Sequence, residues 1–228
     1  MRTEQTIGDR ICRLAGDELA EDVLIQAVDA RDSEAMEEEI AQIRARTDRP
    51  FLLVAFRVAD WYQELSPWEA PAVFGKESFG AGAKDTLAYV TESLLPEIGQ
   101  YPCAGQRRYF LGGYSLAGLF ALWAAYQTGR FQGVAAVSPS VWFPGWRRWT
   151  EEHPIRCPRV YLSLGNREEK TRNPVMAAVG DNIRWQHEAL CRDEAVKACA
   201  LEWNPGNHFA DSALRTAKGF AWLLNGKE

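Results

Sequence analysis

The stretch YFLGGYSLAGLF at residues 109–120 decides the fold of this chain and raises the question of its chemistry. Its first half is a short apolar run that is typical of a buried strand. The segment from Ser115 to residue 129 is apolar on almost every side, which predicts a buried helix. Between them, residues 113–117 read G-Y-S-L-A and follow the G-x-S-x-G turn that exposes a nucleophilic serine, with Ala117 in place of the second glycine. The alternative interpretation is an ordinary serine that caps the helix.

Strand and helix patterns alternate along nearly the whole chain. The strands read as short, continuous apolar runs, which favours a mostly parallel sheet covered by helices on both faces, a three-layer α/β/α sandwich. Between residues 59 and 82, a stretch rich in Pro, Gly and Trp predicts a long irregular loop of the kind that often carries function. Strands are predicted at 22–29, 51–58, 107–113, 133–140, 159–165 and 197–206. Helices are predicted at 32–46, 115–129, 172–192 and 211–225, and a further helix follows the long loop and ends at Pro96.

Composition indicates a single domain over residues 1–228, with its core at about 22–225. The 228 residues are 46% hydrophobic and 25% charged, which suits one sizeable core. A net charge of -5 without a basic stripe argues against nucleic acid as a partner. The N-terminus lacks the apolar segment of a secretion signal, and no apolar stretch approaches the roughly 20 residues that span a bilayer. Since the five scattered cysteines suggest reduced, structural thiols, we expect a cytoplasmic protein without a membrane partner.

A serine hydroxyl is a poor nucleophile without a base, and the chain has three histidines. His153 lies in the charged stretch EEHP, and His187 lies within the helix predicted at 172–192. His208, in NPGNHFAD, follows the last predicted strand. Because ligand sites in such sheets form at the carboxyl ends of the strands, His208 is expected at the same edge as Ser115.

The imidazole in turn needs a carboxylate that orients it. The strand predicted at 159–165 ends in GNREEK, which places Glu168 three residues past a glycine and Glu169 next to it. The spacing favours Glu168, Glu169 stays open, and Asp211 is a weaker candidate. Serine, acid and histidine then each follow a different strand at one edge of the sheet, and this coincidence favours catalysis over separate structural roles.

The chain resembles the α/β-hydrolase superfamily, and within it the small putative esterases of the esterase D and enterochelin esterase type. The matching segments are GGYSLAG, AVSPSVWF, SLGNREE and NPGNHF, and with the strand order they cover residues 22–225. The resemblance implies the α/β-hydrolase fold, with Ser115 as nucleophile, His208 as base and Glu168 as acid. It also implies an oxyanion hole of two backbone N–H groups, from Leu116 and Ala30. At Ala30 the chain reads QAVDARD, where the family has a His-Gly-Gly loop.

The predicted activity is hydrolysis of a small or medium carboxylic ester through an acyl-enzyme intermediate, with no metal and no organic cofactor. A thioesterase, an acyltransferase or a small peptidase with the same triad remains open, as does a catalytically silent binding module. The sequence leaves the oligomeric state open. Aromatic residues near the active edge are the candidate substrate pocket: Trp61, Tyr62, Trp68, Tyr114, Trp142 and Phe143.

Overall fold

One eight-stranded sheet organises the protein, whose computed structural model describes residues 2–29, 35–103 and 105–226. In chain order the strands are β1 (Arg2–Ile7), β2 (Arg10–Gly16), β3 (Asp22–Val28), β4 (Phe51–Arg57), β5 (Arg108–Tyr114), β6 (Gly133–Val137), β7 (Arg159–Gly165) and β8 (Ala198–Asn204). Their order across the sheet is β1-β2-β4-β3-β5-β6-β7-β8. The pairs β1–β2 and β2–β4 are antiparallel and all the others are parallel, which confirms the mostly parallel sheet.

Helices cover both faces of the sheet. They are α1 (Ala35–Arg44), α2 (Trp61–Glu64), α3 (Ala83–Tyr89), α4 (Leu95–Gly99), α5 (Leu116–Gln127), α6 (Trp146–Glu151), α7 (Pro174–Ala177), α8 (Val179–Arg192) and α9 (Ser212–Asn225). Helices α1 and α9 pack together on one face, and α3, α4, α5 and α8 contribute to the core on the other. The three-layer sandwich is therefore confirmed. Within the described ranges, no helix is long and apolar enough to cross a membrane.

The stretch that predicts the fold lies at the centre of the molecule. Strand β5 pairs with β3 on one side and β6 on the other, and every residue of α5 except Gln127 is buried. Burying a Leu or Phe side chain, such as Leu119 or Phe120, contributes about 1.5–3 kcal/mol. The apolar character of α5 on all sides thus follows from its position in the core.

The N-terminal hairpin of β1 and β2 is an element that the sequence pattern did not predict. In β2, Cys12 and Leu14 are buried, whereas Ile11 is 39% exposed. Strands that are antiparallel and half-exposed alternate between apolar and polar residues, and edge strands often carry charges. Strands β1 and β2 lack the continuous apolar runs that identify β3 to β7, so the sequence pattern does not reveal them. The sheet therefore begins at Arg2, whereas the first predicted strand begins at residue 22.

The observed helices differ from the predicted ones at two main places. The helix predicted to end at Pro96 continues to Gly99, because a π-helical turn at Val90–Leu94 places the proline in the first turn of α4, where its missing N–H is tolerated. The helix predicted at 172–192 is divided into α7 and α8 at Ala178. The long loop at 59–82 is confirmed, apart from the short helix α2.

Candidate active site

Ser115 lies in a sharp turn between β5 and α5 and has φ 60° and ψ -120°. A residue with a Cβ rarely adopts such a conformation, which costs on the order of 1–3 kcal/mol and persists only when the surrounding structure holds it. The Ser115 N–H donates to the carbonyl of Val137 at 3.0 Å, and the N–H of Ser140 donates to the Ser115 carbonyl at 3.1 Å. The neighbouring strand β6 and the turn after it therefore fix the serine through its backbone.

Close packing explains why the residues around Ser115 are small. A Cβ added to Gly113 would lie 2.7 Å from the Cβ, the carbonyl carbon and the carbonyl oxygen of Ala117. The Ala117 methyl occupies the space that Gly113 leaves open, so this turn accommodates alanine where the common pattern has glycine. A Cβ on Gly118 would lie 2.8 Å from the Gly113 carbonyl oxygen. The strict need for glycine therefore falls on positions 113 and 118.

We expect Gly113→Ala to lower the free energy of unfolding by about 1–3 kcal/mol, because the new methyl overpacks the contact between β5 and α5. It should also slow the ester hydrolysis predicted from the sequence, because α5 begins beside Ser115. Ala117→Gly is the matched control, since it removes a methyl and adds no contact, and its cost should be about 0.5–1 kcal/mol. Urea unfolding and initial rates measure both effects. Wild-type stability in Gly113→Ala would contradict the packing described here.

Three side chains from three strand ends form a continuous hydrogen-bonded chain. The Nε2 atom of His208 lies 3.0 Å from Ser115 Oγ, and its Nδ1 atom lies 2.7 Å from Glu168 Oε2. Ser115 follows β5, Glu168 lies just past β7 and His208 lies just past β8. An ionised carboxylate can only accept hydrogen bonds, so Nδ1 carries the proton and Nε2 is left to accept the proton of Ser115.

Glu168 is 7% exposed and accepts hydrogen bonds at both oxygens. Its Oε1 accepts from the Gly165 N–H at 2.7 Å, from the Ser138 hydroxyl at 2.8 Å and from Arg215 Nη1 at 3.2 Å. Burial opposes the ionisation of Glu168. The hydrogen bond and the charge of His208, together with the hydrogen bonds from Gly165 and Ser138, outweigh this effect and hold the pKa of Glu168 below its ordinary value. Glu168 is therefore a carboxylate at neutral pH.

The neighbouring acids have other surroundings. Glu169 turns toward α8, where its carboxylate lies 2.9 Å from Arg184 Nη2. Asp211 precedes α9, has φ 52° and is exposed. Of the three acids weighed from the sequence, the structure brings Glu168 to His208.

Arg215 was missed by the sequence analysis. It lies in α9, is 1% exposed, and its Nη2 donates to the Pro205 carbonyl at 2.7 Å. Its Nη1 donates to the Tyr114 hydroxyl at 3.1 Å, and that hydroxyl donates to the His208 carbonyl at 2.7 Å. One buried cation thus contacts the carboxylate of Glu168, the residue before the serine and the loop that carries the histidine.

The candidate pocket residues fall into separate groups. Trp142 lines a cavity of about 320 Å³ together with Glu168 and His208. Trp61 and Tyr114 line a smaller cavity of about 60 Å³, beside residues of β3, α1 and α9.

The other three candidate pocket residues have packing roles. Tyr62 packs edge-on against Phe79 at 5.5 Å between ring centroids. Trp68 packs against Phe143 at 5.7 Å and donates to the Pro144 carbonyl. Phe143 itself is 2% exposed.

One of the two candidate oxyanion donors, Leu116, lies at the start of a helix. Leu116 is the first residue of α5, so its N–H is one of the helix N-terminal donors without an intrahelical acceptor. The positive end of the helix dipole adds to its attraction for an anion beside Ser115. Ala30 lies outside the described residues.

The remaining histidines lie elsewhere. His153 stacks on Trp149 with a centroid distance of 4.2 Å, and His187 lies in α8 with its Nε2 3.5 Å from Cys191 Sγ. His153 is exposed and His187 is half-buried.

The sheet, with its sharp serine turn at the carboxyl edge, has the α/β-hydrolase fold. The family described as "Putative esterase" matches residues 28–205, and the chain belongs to it. The protein is therefore an esterase. A comparison with curated proteins gives no match.

Solved structures share the fold at low sequence identity. An IroE-like serine hydrolase from Shewanella oneidensis has a TM-score of 0.80 at 15% identity, over 97% of this chain and 79% of that chain. The siderophore hydrolase EstA from Aspergillus nidulans has a TM-score of 0.77 at 16% identity, over 99% and 94%. The enterobactin hydrolase IroE in complex with DFP has a TM-score of 0.64 at 16% identity, over 99% and 95%.

Proposed function

We propose that this esterase hydrolyses a small or medium carboxylic ester through a Ser-His-Glu triad and an acyl-enzyme intermediate. Ser115 is the nucleophile, His208 the general base and Glu168 the acid that orients the imidazole. The observation that carries the proposal is the hydrogen-bonded chain from Ser115 Oγ through His208 to Glu168, at 3.0 and 2.7 Å. The strained backbone of Ser115 is a second support, because such conformations cluster at functional sites.

In acylation, Nε2 of His208 takes the proton of the Ser115 hydroxyl as Oγ bonds to the ester carbonyl carbon. The carbonyl oxygen becomes an oxyanion and accepts a hydrogen bond from the Leu116 N–H, a kind of donor whose loss typically costs about 2.7–4 kcal/mol of transition-state stabilisation. Ala30 is the proposed second donor. The protonated His208, stabilised by Glu168, then gives its proton to the leaving alcohol as the C–O bond breaks.

In deacylation, water takes the place of the alcohol. His208 removes a proton from the water as its oxygen attacks the acyl carbon, and a second tetrahedral oxyanion forms at the same donors. Collapse of this intermediate breaks the bond to Ser115 Oγ, which regains its proton from His208. The acid product leaves, and the ionised Glu168 is unchanged through the cycle.

The cavity beside the triad supports the proposed size of the substrate. Its volume of about 320 Å³ lies at the lower end of the roughly 300–1,000 Å³ usual for small-molecule pockets. Apolar contacts come from Trp142, Met176 and Val179, while Arg167 and Lys170 add two exposed cations. An ester with an apolar part and an anionic or hydrogen-bond-accepting part is the substrate class that suits these walls.

We expect Glu168→Gln to lower kcat by about 10⁴-fold, because an amide at this position no longer fixes the tautomer of His208 or stabilises its charged form. Glu169→Gln is the matched control one residue away. Glu169 pairs with Arg184 near the surface, and such pairs contribute about 0–1 kcal/mol to stability. Because Glu169 does not contact His208 and its loss should leave the fold intact, the kcat of this variant should stay near that of the wild type. Steady-state kinetics on one ester measure both variants. A larger loss in Glu169→Gln would move the acid to that residue.

A substrate panel separates ester hydrolysis from the other reactions that one triad can perform. Carboxylic esters, thioesters and short peptides should be compared at equal concentration, with an added alcohol to detect acyl transfer. Siderophore esters belong in the panel because similar structures are named as siderophore hydrolases. The proposal requires the highest kcat/KM for a carboxylic ester, and a thioester or peptide that exceeds every ester would replace it.

A further inference from the structure

Three side chains with donor atoms for soft metals converge where α8 packs beside β8. His187 and Cys191 lie four residues apart on α8, and Cys199 is the second residue of β8. This end of β8 is opposite the end that leads to His208. The six residues from Cys199 to Asn204 span about 16 Å of extended strand. The cluster is therefore separate from the proposed triad.

We propose that His187, Cys191 and Cys199 form a binding site for one zinc ion. Their donor atoms, one imidazole nitrogen and two sulfurs, all lie within 4.8 Å of one another. Two thiolates and an imidazole are a ligand set that favours zinc over magnesium or calcium, which prefer oxygen. Each of the three residues is at least partly exposed to solvent, so an ion has a path to the site.

The geometry already matches tetrahedral zinc along one edge. With Zn–S near 2.3 Å and Zn–N near 2.0–2.1 Å, the nitrogen and sulfur ligands of a tetrahedral ion lie about 3.6 Å apart. His187 Nε2 and Cys191 Sγ lie 3.5 Å apart. The helix sets this distance, because residues at i and i+4 share one face, so two of the three ligands need no rearrangement.

The third ligand, Cys199, lies on a different element from the other two. Cys199 is partly buried and packs against the main hydrophobic cluster, so its position is fixed by the sheet rather than by α8. A bound ion would link α8 to the edge strand β8 and leave a fourth coordination position for water or a further ligand. The thiols that look scattered in the sequence thus become a set only after folding.

Cobalt(II) titration of the full-length, metal-free protein tests the proposal, with all five cysteines first verified as reduced. We expect one equivalent of cobalt to give a thiolate-to-cobalt charge-transfer band and the visible bands of a tetrahedral ion, and one equivalent of zinc to abolish both. Cys199→Ser should lower the charge-transfer intensity, because it removes one of two thiolate ligands, and His187→Ala should weaken binding at least about tenfold. Cys103→Ser is the control, because Cys103 is a partly exposed thiol outside the cluster.

The absence of a charge-transfer band in the reduced wild type would overturn the site, as would an unchanged band in Cys199→Ser or its loss in Cys103→Ser. Thermal unfolding gives a second readout that does not depend on esterase activity. A metal that binds the folded state raises the unfolding temperature. Zinc should therefore stabilise the wild type and Cys103→Ser, whereas an equal shift in His187→Ala would contradict the proposed ligands.

Discussion

Ser115→Ala will lower kcat for ester hydrolysis by as much as about 10⁶-fold and will abolish covalent labelling by a fluorophosphonate. The expected loss is this large because the proposed triad would act as a unit, and without Oγ the proposed acyl-enzyme cannot form. His208→Ala should lose nearly as much, since the serine hydroxyl then has no base at the 3.0 Å contact. The double variant should be little worse than either single variant, which is the kinetic signature of groups that act together.

Ser212→Ala is the matched serine control for this experiment. Ser212 is exposed, begins α9 and lines the small cavity together with Tyr114, so it is a nearby hydroxyl outside the triad. Its variant should label and turn over like the wild type. Labelling that persists in Ser115→Ala, or a wild-type protein that is not labelled at all, would contradict the proposed nucleophile.

Arg215→Met will lower the free energy of unfolding by about 3–5 kcal/mol, the usual effect of removing one partner of a buried ion pair. Arg215 is 1% exposed and lies 3.2 Å from Glu168 Oε1, so its loss leaves a buried carboxylate without its cation. Arg184→Met is the control, because Arg184 pairs with Glu169 near the surface and should change stability by about 0–1 kcal/mol. Urea unfolding at neutral pH measures both variants.

A double variant tests whether the effect of Arg215 acts through Glu168. In Arg215→Met with Glu168→Gln both charges are gone, so the loss of stability should be smaller than the sum of the two single losses. Strict additivity would contradict the coupling. The pKa of Glu168 lies below its ordinary value of 4.5, so its stabilising contribution is present at neutral pH and is lost as the pH falls through the lowered pKa. The gap in stability between the wild type and Glu168→Gln should accordingly narrow in acid.

The sequence predicted those parts of the molecule that depend on local pattern. Continuous apolar runs identified the parallel strands. Because the carboxyl ends of parallel strands lie at one edge of the sheet, the sequence alone predicts that Ser115, Glu168 and His208 lie close together. The edge strand β1 and its neighbour β2 were missed because they are partly exposed and lack a continuous apolar run. The sequence does not tell which aromatic side chains line a pocket and which pack in the core. Trp142 lines a cavity, whereas Phe143 next to it is buried in the core, and the two have the same sequence surroundings.

Arg215 shows why long-range pairing is hard to read from a sequence. Leu214 is partly exposed, whereas the arginine beside it is buried. The side of α9 that reaches solvent includes Lys218 and Asn225, and these polar residues were a signal of the true orientation. No local pattern, however, pairs a helical arginine with a carboxylate 47 residues earlier in the chain.

The hydrogen bond from the Tyr114 hydroxyl to the His208 carbonyl has a mechanical consequence. Tyr114 and Ser115 are consecutive residues at the end of β5, so the loop that carries the histidine is tied to the same piece of backbone as the serine. The tyrosine contact therefore restrains the backbone at His208, whose Nε2 lies 3.0 Å from Ser115 Oγ.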